Sequence, residues 1–210
     1  MTSTSTKMHR FIDRVAVLAV VVIPVAASVA AAALPPREAV TTMADAVIRV
    51  LQEDGLAKSV RRSRVEEIVY GAVDFETLSR LVMARNWARL DDAQQQEFKR
   101  EFKRHLSATY GRRVDSYSNE VVEVTGEREE ARGDHTVKTV IRRGGGNADI
   151  LVDYRLRKRE GEWKIIDFVI EGVSLVANFR SQFQELMSSG GPEKLLAALR
   201  EKTAAEEEGE

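Results

Sequence analysis

The segment IIDFVIEGVSLVANFRSQF, Ile165 to Phe183, places one serine, Ser174, where a strand pattern gives way to a helical one. A serine at such a junction can be a nucleophile, hold a phosphate, or cap the helix. The nucleophile elbow needs G-x-S-x-G, and Gly172-Val173-Ser174-Leu175-Val176 lacks the second glycine. A triad also needs histidine. His9 lies in the N-terminal leader, and His105 and His135 have no supporting motif around them. The capping reading asks least: the serine oxygen accepts a first-turn N–H, contributing about 1 kcal/mol. Asp167 offers a second chemistry. It alternates with Ile165 and Val169, so it is expected to share an apolar face, where burial would raise its pKa and suit it to act as a base. Tyr154 or His105 would then be its partner, as in an enzyme that places its acid–base pair inside a cavity between helices and sheet. The competing role for Asp167 is structural, accepting backbone N–H groups or pairing with an arginine.

Other chemistries lack residues. There is no cysteine, which removes thiol catalysis and most zinc sites, and two scattered histidines outside the leader do not make a metal centre. Gly144-Gly145-Gly146 sits between strand patterns without the lysine and helix of a phosphate loop. The runs Glu129-Glu130 and Glu206-Glu207-Glu208 read as solvated surface. No catalytic residue, metal or cofactor is expected.

The elements that position these residues follow from periodicity. Pro35-Pro36 starts a helix whose apolar positions Val40, Met43, Val47, Val50 and Leu51 end near Gly55. A second helix spans Val60 to Ala72, and Asp74 caps a third that carries Phe75, Leu78, Leu81 and Val82. Asp92 with Gln95 resembles a capping box and opens the longest helix, with Phe98, Phe102, Leu106 and Tyr110 along one face. From about Asn119 the period becomes two. Strands are expected over Glu120–Glu127, His135–Arg143, Asn147–Lys158 and Glu162–Ile170, joined by hairpin turns into an antiparallel meander. In the third, Ile150, Val152, Tyr154 and Leu156 face one side and Asp149, Asp153, Arg155 and Arg157 the other, so one face is covered and one wet. Two helices, about Ser174–Met187 and Pro192–Lys202, finish the domain, and residues 203–210 form an acidic tail expected to be disordered. Helices, then an antiparallel sheet, then helices give an α+β domain over 34–202.

Residues 1–33 stand apart. Lys7, Arg10 and Arg14 precede an apolar run, Val15 to Val29, and Ala31-Ala32-Ala33 supplies small residues. This is the pattern of a secretory signal peptide cleaved after Ala33. An uncleaved anchor is the alternative, since Val15 to Leu34 is 20 residues, though Pro24 and the alanine-rich half weaken it. The leader carries three basic side chains and one acidic, so the 32 and 33 of the whole chain fall to 29 and 32. That balance argues against nucleic acid, which favours a basic surface. An exported chain without cysteine must be held by its core.

Beyond periodicity, WKIIDFVIEGVSLVANFRSQF (Trp163–Phe183), the glycine-containing turn after it and LLAALREK (Leu195–Lys202) resemble the C-terminal signature of the MlaC, or toluene-tolerance auxiliary, family. VDFETLSRLVMARNWARLDDAQQQEFKREFKRHLSATYGRRVDSYSNEVVEV (Val73–Val124) is similar to its helical half in order and spacing, and the resemblance runs from about Val40 to Lys202. It implies helices packed over a curved four-stranded sheet (NTF2-like or cystatin-like) with an internal apolar cavity. It also implies a monomeric periplasmic phospholipid carrier rather than an enzyme, serving outer-membrane asymmetry. The implied partners are an outer-membrane lipoprotein–porin complex and an inner-membrane ABC transporter with a periplasmic substrate-binding ring. A related component associated with hopanoids makes a polycyclic lipid the alternative cargo. On this resemblance the cavity wall is expected from Phe75, Leu78, Val82, Phe98, Phe102 and Leu106 of the helices and from Val152, Tyr154, Leu156, Val169, Val173 and Val176 of the sheet and last helix. Arg80, Arg85, Arg89 and Arg142 are candidates to meet a lipid phosphate at its mouth.

Overall fold

The computed structural model describes residues 34–208 except 112, 113, 115, 116 and 118. The expected signal peptide lies outside the described residues. Helix α1, Pro36–Leu51, starts at the expected prolines, with Glu38 in its first turn, and buries Val40, Met43 and Ala44. Helix α2, Lys58–Ala72, buries Val65. Asp74 caps α3, Phe75–Met83, accepting the Thr77 N–H at 2.9 Å. A 3₁₀ turn, Ala84–Arg89, leads to α4, Asp92–Gly111. The capping box of α4 lies one residue earlier than its expected Asp92/Gln95 register. Asp91 accepts from the Gln94 N–H at 2.8 Å, and the Gln94 side chain accepts from the Asp91 N–H at 3.1 Å.

Five strands follow: β1 Val121–Glu129, β2 His135–Arg142, β3 Ile150–Arg159, β4 Glu162–Ile170 and β5 Val173–Ser174. They pair in chain order and antiparallel throughout, as a meander. The sheet has one strand more than expected, because Val173 and Ser174 turn back through Gly172 and pair with Ile170 and Val169. The β3–β4 hairpin turns through Glu160 and Gly161 at φ 51° and 91°, the left-handed geometry of a two-residue turn. One bulge decides the faces. Leu156 pairs with Ile165 but Arg155 pairs with Asp167, so Ile166 is an extra residue in β4. Beyond it, Phe168 and Ile170 share the face of Tyr154 and Val152, while Asp167 and Val169 share that of Arg155 and Asp153.

Helix α5 runs Leu175–Glu208 and is broken at Gly191 (φ 68°, ψ −162°), just before Pro192. The two expected terminal helices are its two halves. The second half continues through the stretch expected to be disordered. Thr203 is fully buried and donates to the Leu199 carbonyl, and Glu207 pairs with Arg104 of α4. The helices pack on one face of the sheet, with α1 against β1 and β2 and with α2, α3 and α5 against β4. The other face is polar. There the fully buried Asp134 carboxylate accepts from Arg155 at 2.8 Å and from Arg157 at 2.7 and 2.9 Å. Burial pushes that carboxyl up, but the two guanidiniums outweigh it and hold it below the usual range. Among the described residues no helix is long and apolar enough to cross a membrane.

Candidate functional site

Eight of the expected wall residues meet in one buried apolar body between helices and sheet: Leu78, Val82, Phe98, Phe102, Val152, Tyr154, Leu156 and Val176. Phe75 and Leu106 are half-buried and pack against it. Four rings form its centre. Phe98 stacks on Phe102 at 5.5 Å, Phe179 meets Phe102 edge-on at 5.0 Å, and Phe183 meets Phe98 and Phe102 at 5.3 and 5.5 Å. Such contacts contribute about 0.5–1.5 kcal/mol per pair beyond area burial. The rings therefore occupy the place where an internal apolar cavity is expected. Tyr154 faces the same interior, edge-on to Phe168 at 5.6 Å. Burial pushes its phenol up to about 12, with the Thr139 hydroxyl offsetting part of the effect.

Two expected wall residues lie elsewhere. Val173 is 61% exposed on the short edge strand β5. Val169 is half-buried but stands on the opposite face, because the Ile166 bulge inverts the alternation. Phe168 and Ile170 take the inward positions and pack against the interior. The α5 residues Phe179, Phe183 and Met187 were readable from their four-residue spacing. Val137 completes the interior from β2.

The arginines expected at a mouth are mostly engaged. Arg80 pairs with Glu76 at 2.8 Å and lies 5.3 Å from the Trp87 ring. Arg89 donates to the Asn86 side chain at 3.0 Å. Arg142 lies on the polar face, held by Glu123 at 2.9 Å and Asp149 at 2.7 Å. Arg85 is exposed.

The junction at Ser174 is a double cap. The Ser174 hydroxyl accepts the Ala177 N–H at 3.0 Å, as a helix N-cap does, and donates to an Asp167 oxygen at 2.6 Å. The other Asp167 oxygen accepts the Val176 N–H at 3.0 Å. Asp167 is thus buried, but its oxygens fix the start of α5, and the bulge turns it away from the face of Tyr154. His105 packs edge-on to Phe179 at 5.7 Å, and burial, with Lys202 nearby, lowers its pKa. The carboxylate, phenol and imidazole each have their own structural surroundings, and the geometry favours the capping role for Asp167. Among the described residues no three His, Asp or Glu side chains converge as metal ligands.

Fold and site together define an α+β domain whose helices close an apolar interior over one face of an open antiparallel sheet. Residues 41–201 match the family model described as MlaC protein, and the chain belongs to that family. The toluene tolerance protein ttg2D of Pseudomonas putida is 28% identical over 131 residues, which are 60% of this chain and 59% of that protein. The intermembrane phospholipid transport system binding protein MlaC of Haemophilus influenzae is 24% identical over 134 residues, covering 61% and 62%. The matched region thus spans about three fifths of each curated relative. Among solved structures, a phospholipid-binding protein from Ralstonia solanacearum in complex with a phospholipid superposes with a TM-score of 0.75 at 25% identity, over 83% of this chain and 99% of that one.

Proposed function

We propose that this chain is an exported, periplasmic phospholipid carrier, working as a monomer. It would collect lipid at an outer-membrane lipoprotein–porin complex and exchange it with an inner-membrane ABC transporter through a periplasmic substrate-binding ring. The observation that carries the reading is the apolar interior between sheet and helices, in the fold that the Ralstonia solanacearum protein shares in complex with phospholipid. Two acyl chains bring on the order of 30 methylenes, each worth about 0.8 kcal/mol on leaving water. Unassisted transit of the periplasm would therefore cost more than about 20 kcal/mol. A bilayer solvates the tails as well as a protein interior does, so exchange can be close to neutral. The carrier needs to cover the tails without holding them tightly.

The Phe98 and Phe102 rings of α4 and the Phe179 and Phe183 rings of α5 are in mutual contact, so tails entering that interior displace side-chain packing. Contacts among side chains are then replaced by contacts with methylenes, which keeps the exchange weakly specific. The test is native mass spectrometry of the purified chain, with extraction of co-purifying lipid and uptake from vesicles. A one-to-one phospholipid adduct is expected. Protein that arrives empty and takes up no lipid from vesicles contradicts the reading.

A further inference from the structure

A cleft of about 460 Å³ opens between α2, α4 and the end of α5. Its volume is in the range of small-ligand clefts, roughly 300–1,000 Å³. Four cations line it, Arg62, Arg100, Lys103 and Arg104, against two carboxylates, Glu66 and Glu207. Both carboxylates are engaged within the protein: the Ser107 hydroxyl donates to Glu66, and Arg104 holds Glu207 through two nitrogens. Arg100 and Lys103 make no ion pair among the described residues, so the positive charge they carry is available to a ligand. Lys103 is also fixed in place. Its ammonium lies 4.2 Å from the centre of the Tyr70 ring and 5.4 Å from that of Phe75, which keeps it dry on one side and lowers the entropy lost on binding. Phe75 meets Tyr70 edge-on at 5.1 Å and packs against the apolar interior. Tyr70 and Phe75 thus stand as a packed aromatic pair between the cleft and that interior.

We propose that this cleft binds a phosphate ester, with Arg100 and Lys103 as its principal contacts. An adjoining depression of about 610 Å³ shares Glu66, Tyr70 and Lys103 with it, so the site has room for the glycerol carried by the phosphate as well as the phosphate itself. A phospholipid headgroup and a free phosphate ester share this chemistry; the headgroup is the source that the carrier reading implies, and that assignment rests on it. None of the four arginines singled out from sequence lies here.

The test titrates the full chain with sn-glycerol 3-phosphate and, separately, inorganic phosphate, followed by calorimetry and amide NMR. The ester is expected to shift amides of residues 62–71 and 100–111 and to bind more tightly than inorganic phosphate. Arg100→Gln with Lys103→Gln should weaken it about tenfold or more, while Lys158→Gln, at an exposed position on the sheet, leaves it unchanged. Either single variant reports the same direction. Absence of binding, shifts confined elsewhere, or equal affinity in the double variant overturns the site. A second arm measures uptake of phosphatidylglycerol from vesicles, where the double variant should load less than the wild type. Equal loading overturns the headgroup assignment while leaving the carrier reading intact. If the wild type binds the ester but loads no phospholipid, the carrier reading falls and the cleft remains a site for a free phosphate ester.

Discussion

The Ile166 bulge makes a prediction that periodicity alone would reverse. Val152 and Val169 both belong to alternating runs, yet the register puts Val152 inward at 6% exposure and Val169 on the face of Asp153. Replacing each by threonine conserves volume and β-branching, so no cavity forms and the strands persist. The change is one methyl for one hydroxyl. At Val152 that hydroxyl enters the buried interior between Ile170 and Thr139, whose own hydroxyl donates to the Val152 carbonyl at 2.8 Å. Taking it out of water costs about 1–3 kcal/mol, of which a bond to the Thr139 hydroxyl would return part. For a domain of this size each kcal/mol lowers Tm by about 2–4 °C, so Val152→Thr should melt several degrees lower. Val169→Thr sits at a half-buried, polar-faced position and should change stability by less than about 0.5 kcal/mol. Denaturant unfolding, with m-values compared to confirm an unchanged denatured state, measures both. Phospholipid uptake should fall for the Val152 variant and hold for the Val169 variant. Equal losses, or a larger loss at Val169, would refute the register and the faces derived from it.

Three further outcomes follow from the geometry. Ser174→Ala and Asp167→Ala should each cost about 1 kcal/mol in unfolding measurements, and the double variant should cost less than the sum, because the two side chains hold one helix start together. Asp134→Asn should cost about 1–2 kcal/mol at neutral pH, discounted for the 42% and 33% exposure of its arginine partners. Because the folded Asp134 pKa is depressed, its contribution is present above the unfolded value of about 3.9 and lost as pH falls through the folded value. The gap between wild type and variant should therefore close in acid, and a pH-independent gap would disprove the linkage. Gly191→Ala should lose about 1–3 kcal/mol from backbone strain alone, since φ 68° and ψ −162° suit only glycine and a β-carbon there would meet no neighbour.

Much of the scaffold was legible because its signals are local. Proline starts, the Asp74 cap, the four-residue spacing of Phe98 and Phe102 and the alternation of β3 each depend on residues close in the chain. The misplacements are non-local. Alternation continued across Ile165–Ile170 points Val169 inward, and nothing in that run announces that Ile166 is an extra residue; only pairing with β3 does. Val173 looked like a wall residue until Gly172 folded it onto the sheet edge. The acidic tail looks solvated in isolation because Arg104, which pairs with Glu207, lies 103 positions earlier. The cleft lined by Arg100 and Lys103 has no local signal for the same reason, since its residues come from three helices distant in sequence.

The central claim is that phospholipid tails occupy the interior between helices and sheet. The most direct measurement loads the chain from vesicles with a phospholipid bearing a photoreactive group midway along one acyl chain, then maps the crosslinked residues. Crosslinks on Phe98, Phe102, Phe168, Val152 or Tyr154 are predicted. Crosslinks confined to the polar face, at Asp153, Val169 or Arg155, or a loaded protein with no crosslink to the interior, would contradict the account.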